Sequence, residues 1–122
     1  NAYESGTDAI LISGSTDVTE SLVDEVCSRL KKSVDIPLII FPGNVNMISK
    51  HADAIYFMSM LNSTNTYWIT RSQMIGAPVV AKSGIEPLSV AYTVVEPGGT
   101  VGWIGEANLI PRAKPKIAAA FG

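Results

Sequence analysis

Four short apolar blocks constrain this chain more than any other feature. Residues 9–12, 37–41, 54–58 and 90–95 are each continuous rather than alternating. A strand exposed on one face alternates apolar and polar residues, whereas an unbroken block suits a parallel strand covered on both faces. Between the first two blocks, Leu22, Val23, Val26, Cys27 and Leu30 recur at helical spacing, with Asp24, Glu25, Arg29 and Lys31 opposite. Asp17 with Glu20 three residues on predicts a capping box for that helix. Asp35-Ile36-Pro37 then returns the chain to extended backbone. Residues 45–51 are long enough for about two helical turns. A longer connection after Met58 carries Tyr67, Trp68, Ile69 and Met74, of which Tyr67, Trp68 and Met74 read as core or interface side chains. Residues 78–81 are strand-like in composition. However, Lys82-Ser83-Gly84-Ile85 supplies a cationic last turn, a terminating glycine and a following apolar residue, so the spacing predicts a helix that Pro87 stops. A last helix is predicted from about Pro115.

Strands and helices in regular succession define parallel βα units and an α/β fold. Gly6 has the place of a helix C-cap with only five residues before it, and another helix is under way at Gly122. A complete (β/α)8 barrel needs about 250 residues. The expectation is therefore one domain over residues 1–122 that forms the central part of a TIM-like (β/α)8 barrel, with about four strands present and the remainder lying outside this stretch.

Composition removes several function classes. A formal charge of −2 and the lack of any basic run give no electrostatic footprint for nucleic acid. One cysteine, Cys27, and one histidine, His51, form neither an internal disulfide nor a zinc set, and Cys27 reads as helix core. No apolar stretch approaches a membrane span and no signal peptide opens the chain, so the expected compartment is the cytoplasm. The sequon Asn62-Ser63-Thr64 then carries no weight.

In parallel α/β folds, ligands meet the C-terminal ends of the strands. The residues following the four blocks are Ser13-Gly14-Ser15-Thr16, Pro42-Gly43-Asn44, Ser59-Met60-Leu61-Asn62-Ser63 and Glu96-Pro97-Gly98-Gly99-Thr100. Each alone is explained by turn chemistry. Four together point to a polar ligand face. Residues 76–83 nearly match a phosphate-binding loop, but Ala81 stands where the second glycine must admit backbone N–H groups to phosphate. The glycines of residues 98–102 lack the dinucleotide-binding spacing. His51 lies at the N-terminal end of its strand, the stability side of a barrel, while Tyr56, Phe57 and Met58 read as strand core. Spacing alone leaves a phosphate- or metal-type site whose chemistry is open.

Taken together, several blocks resemble the geranylgeranylglyceryl phosphate synthase family, which includes the bacterial heptaprenylglyceryl phosphate synthases. They are Gly6-Thr7-Asp8-Ala9-Ile10 through Ser13-Gly14-Ser15, Phe41-Pro42-Gly43, Ala52-Asp53-Ala54 through Asn62-Ser63, and Ala91-Tyr92 through Glu96-Pro97-Gly98-Gly99-Thr100-Val101-Gly102-Trp103. The segment from Val95 to Pro111 and Tyr67-Trp68-Ile69 look like the archaeal branch. The resemblance implies a prenyltransferase of archaeal ether-lipid, hence phospholipid, biosynthesis. It would join a prenyl diphosphate, geranylgeranyl diphosphate, to sn-glycerol 1-phosphate. It also implies a Mg²⁺ cofactor held by an aspartate after the first strand and a Ser or Thr after the second. The latter position, in a motif usually reading Gly-Gly-Ser, corresponds to Ser15, with Ser13 in place of the first glycine.

The family's first-strand aspartate and its glycerol-phosphate motifs have no counterpart in this sequence. No glycerol-phosphate residue is assigned here, and the catalytic residues stay unknown. Phe41, Pro42 and Gly43 correspond to a floor beneath substrate, and Tyr92 and Glu96 are placed as substrate contacts from their strand-end position. The resemblance further implies a homo-oligomer at full length, not transmembrane, with product release at a membrane surface. The 122-residue stretch by itself is expected to be inactive. Two alternatives are another phosphate-handling barrel, such as a sugar-phosphate isomerase or aldolase, and a non-catalytic half-barrel that acts by assembly.

Overall fold

The computed structural model describes residues 3–122. Its elements run β1 (Ile10–Ser13), α1 (Glu20–Lys31), β2 (Leu38–Phe41), a 3-10 turn (Val45–Met47) and β3 (Ala54–Met60). A π-helix (Tyr67–Arg71) continues as α2 (Ser72–Ser83), followed by β4 (Glu86–Tyr92), α3 (Gly99–Ile104) and α4 (Pro115–Phe121). The four strands are parallel and their order follows the sequence, β1-β2-β3-β4. This is the expected βα succession of a TIM-like (β/α)8 barrel. Ile10 lies opposite Leu38 and Ser13 opposite Phe41, while Ile39 and Ile40 of β2 lie opposite Ala54 and Ile55 of β3. No helix among the described residues is long and apolar enough to cross a membrane.

The strands are not covered alike. In β2, Leu38 and Ile40 are fully buried, but β1 alternates in exposure and leaves Leu11 52% exposed. β4 alternates too. The apolar block of β1 thus corrects the expectation of cover on both faces. β4 also sits earlier than the block at residues 90–95. Val94 is buried outside the strand, where its N–H donates to the Asn62 side chain and its carbonyl accepts from both the Asn62 amide and the Ile110 N–H. Pro87, read as a stop signal, lies inside β4, at the sheet edge where a missing N–H is tolerated.

The chain divides into two compact units, residues 1–56 with 76–88 and residues 57–75 with 89–122. In the first, Val23 and Cys27 of α1, Leu38 and Ile40 of β2, Met47, Ile55, Val80 and Ile85 form the core. The N-cap of α1 is Thr19, whose hydroxyl oxygen accepts from the Leu22 N–H at 3.3 Å. This replaces the capping box read at Asp17, which instead adopts φ +56 in the preceding turn. Leu22 is 46% exposed, so the buried stripe of α1 is narrower than its apolar pattern. Beneath it the buried Ser49 hydroxyl donates to the Asp24 carboxylate, and burial pushes the Cys27 thiol up.

The helix expected over residues 45–51 is one 3-10 turn, because Ile48 is already extended. Asp53 closes the other end of the sheet. Its carboxylate accepts from the Leu38 N–H at 2.8 Å and from Lys31 at 2.8 and 2.9 Å, which holds it below the ordinary carboxylate range. Gly84 at φ +77 and buried Ile85 end α2 as predicted. Gly6 has φ +80 and donates to the Tyr3 carbonyl at 3.1 Å; residues 1 and 2 of the helix end expected there lie outside the described residues.

The second unit centres on Met60, Val94 and Ile110, with Asn62 and Ser63 buried beside them. In the π-helix the rings of Tyr67 and Trp68 meet edge-to-face, 4.9 Å apart. The Ser59 hydroxyl donates to the Ile69 carbonyl, and the Gln73 amide to the Met58 carbonyl. Met74 is 73% exposed, so it is not core. The helix α3 begins inside a segment read as a loop, with its N-cap Gly98 at φ +78 and its first residue Gly99 at φ +56.

Candidate functional site

In the first unit, the loops that follow β1 and β2 emerge side by side because Ser13 is paired with Phe41. Ser15 is exposed, and its hydroxyl has no hydrogen-bond partner among the described residues. Phe41 is half-buried and packs edge-to-face on Tyr56, with centroids 5.8 Å apart. Pro42 and Gly43 follow it, also half-buried. Gly43 touches the neighbouring loop directly: a Cβ on it would lie 2.0 Å from the Gly14 carbonyl oxygen and 3.4 Å from the Ser15 Cα. The Gly43 N–H points to the Met47 sulfur at 3.1 Å. A second tie joins the same two loops, since the Asn46 amide donates to the Val18 carbonyl at 2.7 Å. The structure thus brings Ser15, Gly43 and the Phe41-Pro42 step together.

In the second unit, Tyr92 ends β4, and its backbone carbonyl accepts from the Leu61 N–H at 2.9 Å. Burial pushes its phenol up, so it stays a neutral hydroxyl in any ordinary buffer. Glu96 lies four residues beyond the strand, at the cis Glu96–Pro97 bond. Its carboxylate accepts from the Arg112 N–H at 3.0 Å. The loops carrying these two residues are fixed by a side chain that sequence reasoning did not single out. The Asn62 amide donates to the carbonyls of Val94 and Asn108 at 2.9 and 2.8 Å and accepts from the Val94 N–H at 3.0 Å. Beside it the Ser63 hydroxyl donates to the Gly105 carbonyl at 2.6 Å. The only sequence signal for this clamp is an amide in the loop that follows the third apolar block.

A hard divalent cation seeks oxygen ligands and keeps several waters. A free, exposed hydroxyl at a strand end fits that chemistry as one ligand. No group of three or more His, Cys, Asp or Glu converges among the described residues, so Ser15 would be one member of a larger set.

Parallel strands in alternating βα units define a barrel-type α/β protein. The sequence matches the PcrB family over residues 1–122, and the chain belongs to that family. It is 58% identical to the geranylgeranylglyceryl phosphate synthase of Methanobrevibacter smithii over 95% of this chain and 46% of that protein. It is also 58% identical to that of Methanococcoides burtonii, over 98% of this chain and 49% of that protein. Among solved structures, the wild-type GGGPS from Thermoplasma volcanium superposes with a TM-score of 0.93 at 43% identity, covering 98% of this chain and 48% of that one. The (S)-3-O-geranylgeranylglyceryl phosphate synthase of Thermoplasma acidophilum, in complex with substrate sn-glycerol-1-phosphate, gives the same score and identity over 98% of this chain and 49% of that one. The chain spans about half the length of the curated relatives it matches.

Proposed function

We propose that a protein containing this chain is a cytoplasmic prenyltransferase that joins geranylgeranyl diphosphate to sn-glycerol 1-phosphate as an ether, for archaeal membrane lipid. One observation carries the reading: identity of 58% extends over nearly the whole chain to proteins named for that product. In the reaction the glycerol hydroxyl oxygen bonds to the first prenyl carbon as that carbon's bond to diphosphate breaks. The hydroxyl proton and diphosphate leave. Mg²⁺, when bound, supplies charge neutralisation for the departing diphosphate.

This chain's own residues bind and orient. Ser15 offers a neutral oxygen to the cation. Phe41, Pro42 and Gly43 form a closely packed floor for substrate. Tyr92 presents an apolar ring with a protonated hydroxyl, suited to a prenyl chain near its polar end. Glu96 sets the turn after β4 through Arg112 and contacts substrate from there. The full-length protein acts as a homo-oligomer and hands its product to a membrane surface, while residues 1–122 alone have no activity.

The test is to place residues 1–122 into a full-length family chain in place of its own segment. Ether product from the two substrates with Mg²⁺ is the expected result. A folded protein that makes none would sink the proposal. In the same chain, Ser15→Ala is expected to cut turnover by about tenfold or more. An unchanged rate would remove Ser15 from the metal site.

A further inference from the structure

The loop after β2 does more than lie beneath substrate. We propose that Gly43 is a positioning residue for Ser15, holding it in place by having no side chain; this rests on Ser15 being a cation ligand. Gly43 has no positive φ, so its backbone conformation does not demand glycine. What demands glycine is space. A Cβ there would fall 2.0 Å from the Gly14 carbonyl oxygen, 3.2 Å from its carbon and 3.4 Å from the Ser15 Cα. All three are backbone atoms, which cannot swing away as the end of a flexible side chain can. Any residue but glycine therefore forces one of the two loops to shift and opens the contact that fixes Gly14 and, through it, the next residue, Ser15.

The opposite end of the same loop is tied by Asn46, whose amide donates to the Val18 carbonyl at 2.7 Å. Ser15 thus lies between two restraints supplied by the loop after β2: a steric stop at Gly14 and a hydrogen bond at Val18. Both act on the backbone, and the Ser15 hydroxyl itself has no hydrogen-bond partner among the described residues. A cation site keeps its affinity only if its ligands are held in place by neighbours that do not themselves touch the metal. Here that neighbour is a close backbone contact.

The experiment measures Mn²⁺ binding by electron paramagnetic resonance, alongside thermal unfolding, in a full-length family chain carrying residues 1–122. Gly43→Ala is expected to weaken Mn²⁺ binding by about tenfold, the lower range for loss of a supporting contact. Asn46→Ala is expected to weaken it by about threefold with an unchanged melting temperature, an effect below that range because the steric stop remains. Gly76→Ala, where a Cβ meets only side chains at 3.6 and 3.8 Å, is expected to leave binding alone.

If Ser15→Ala does not weaken binding, the ligand assignment fails. If Ser15→Ala weakens it but Gly43→Ala and Asn46→Ala do not, the positioning role fails while the ligand stands. Should Gly43→Ala not fold, Asn46→Ala decides: unchanged Mn²⁺ affinity there overturns the proposal.

Discussion

The two units hold their strand-end loops by opposite means. In the first, the loops after β1 and β2 meet because atoms are missing: Gly43 lets its loop press against the Gly14 carbonyl. In the second, the loops after β3 and β4 are held by an added group, the buried Asn62 amide, which bonds Val94 twice and Asn108 once. A loop fixed by a polar side chain is vulnerable to losing atoms, while one fixed by close approach is vulnerable to gaining them. The first arrangement leaves its nearby hydroxyl, Ser15, unengaged and available to a ligand. The second consumes the hydrogen-bonding capacity it brings.

The contrast is sharpest at Asn62. Asn62→Ala strands the Val94 N–H and the Asn108 carbonyl at a position only 8% exposed, while the Val94 carbonyl keeps the Ile110 N–H, and is expected to cost about 3 kcal/mol, read from urea denaturation. A loss below about 1 kcal/mol would show that water replaces the amide and would break the comparison. Gly43→Ala comes next, at about 2 kcal/mol of overpacking strain by the same measurement. The reverse order of the two would mean that the backbone contact is the stiffer device.

Thr19→Ala removes the α1 cap and is expected to cost about 1 kcal/mol, without altering the Ser15 loop's cation binding. Altered Mn²⁺ affinity there would mean that the loop is held from its helix end.

The smallest effect is at Asp53, and it depends on pH. Its carboxyl is lowered first by the Leu38 N–H and then by Lys31. Its contribution is therefore full above the ordinary Asp value of about 3.9 and is lost as pH falls through the lower folded value. Replacement by Asn should flatten that acid limb slightly; an unchanged acid profile would remove Asp53 from the account.

What the sequence discloses depends on how local each cause is. β2 is readable because Leu38 and Ile40 are both apolar and both buried. The helix end at Gly84-Ile85 is readable because the turn chemistry lies within a few residues. Val94 misleads because it is as apolar and buried as a strand residue, yet its N–H pairs with a side chain 32 positions away. Gly43 reads as an ordinary turn glycine for a similar reason: the atom it must clear belongs to another loop, brought near only by the pairing of Ser13 with Phe41. Ser15 stands out through the family pattern, and its free hydroxyl is a property of the folded loop alone.

The π-helix at Tyr67–Arg71 has a consequence for how this segment tolerates length changes. A π turn carries an extra residue compared with an α turn, and each residue of an α-helix turns the chain by about 100°. Deleting one residue here would let the segment relax into plain α-helix. Five residues spread over the wide turn sweep about the same angle as four α residues at about 100° each, so Tyr67 would keep nearly the same phase relative to residues 72–75. The Ser59 hydroxyl would lose the Ile69 carbonyl it now serves. The wide turn therefore takes up one residue of extra length without changing the phase at which the segment runs into α2.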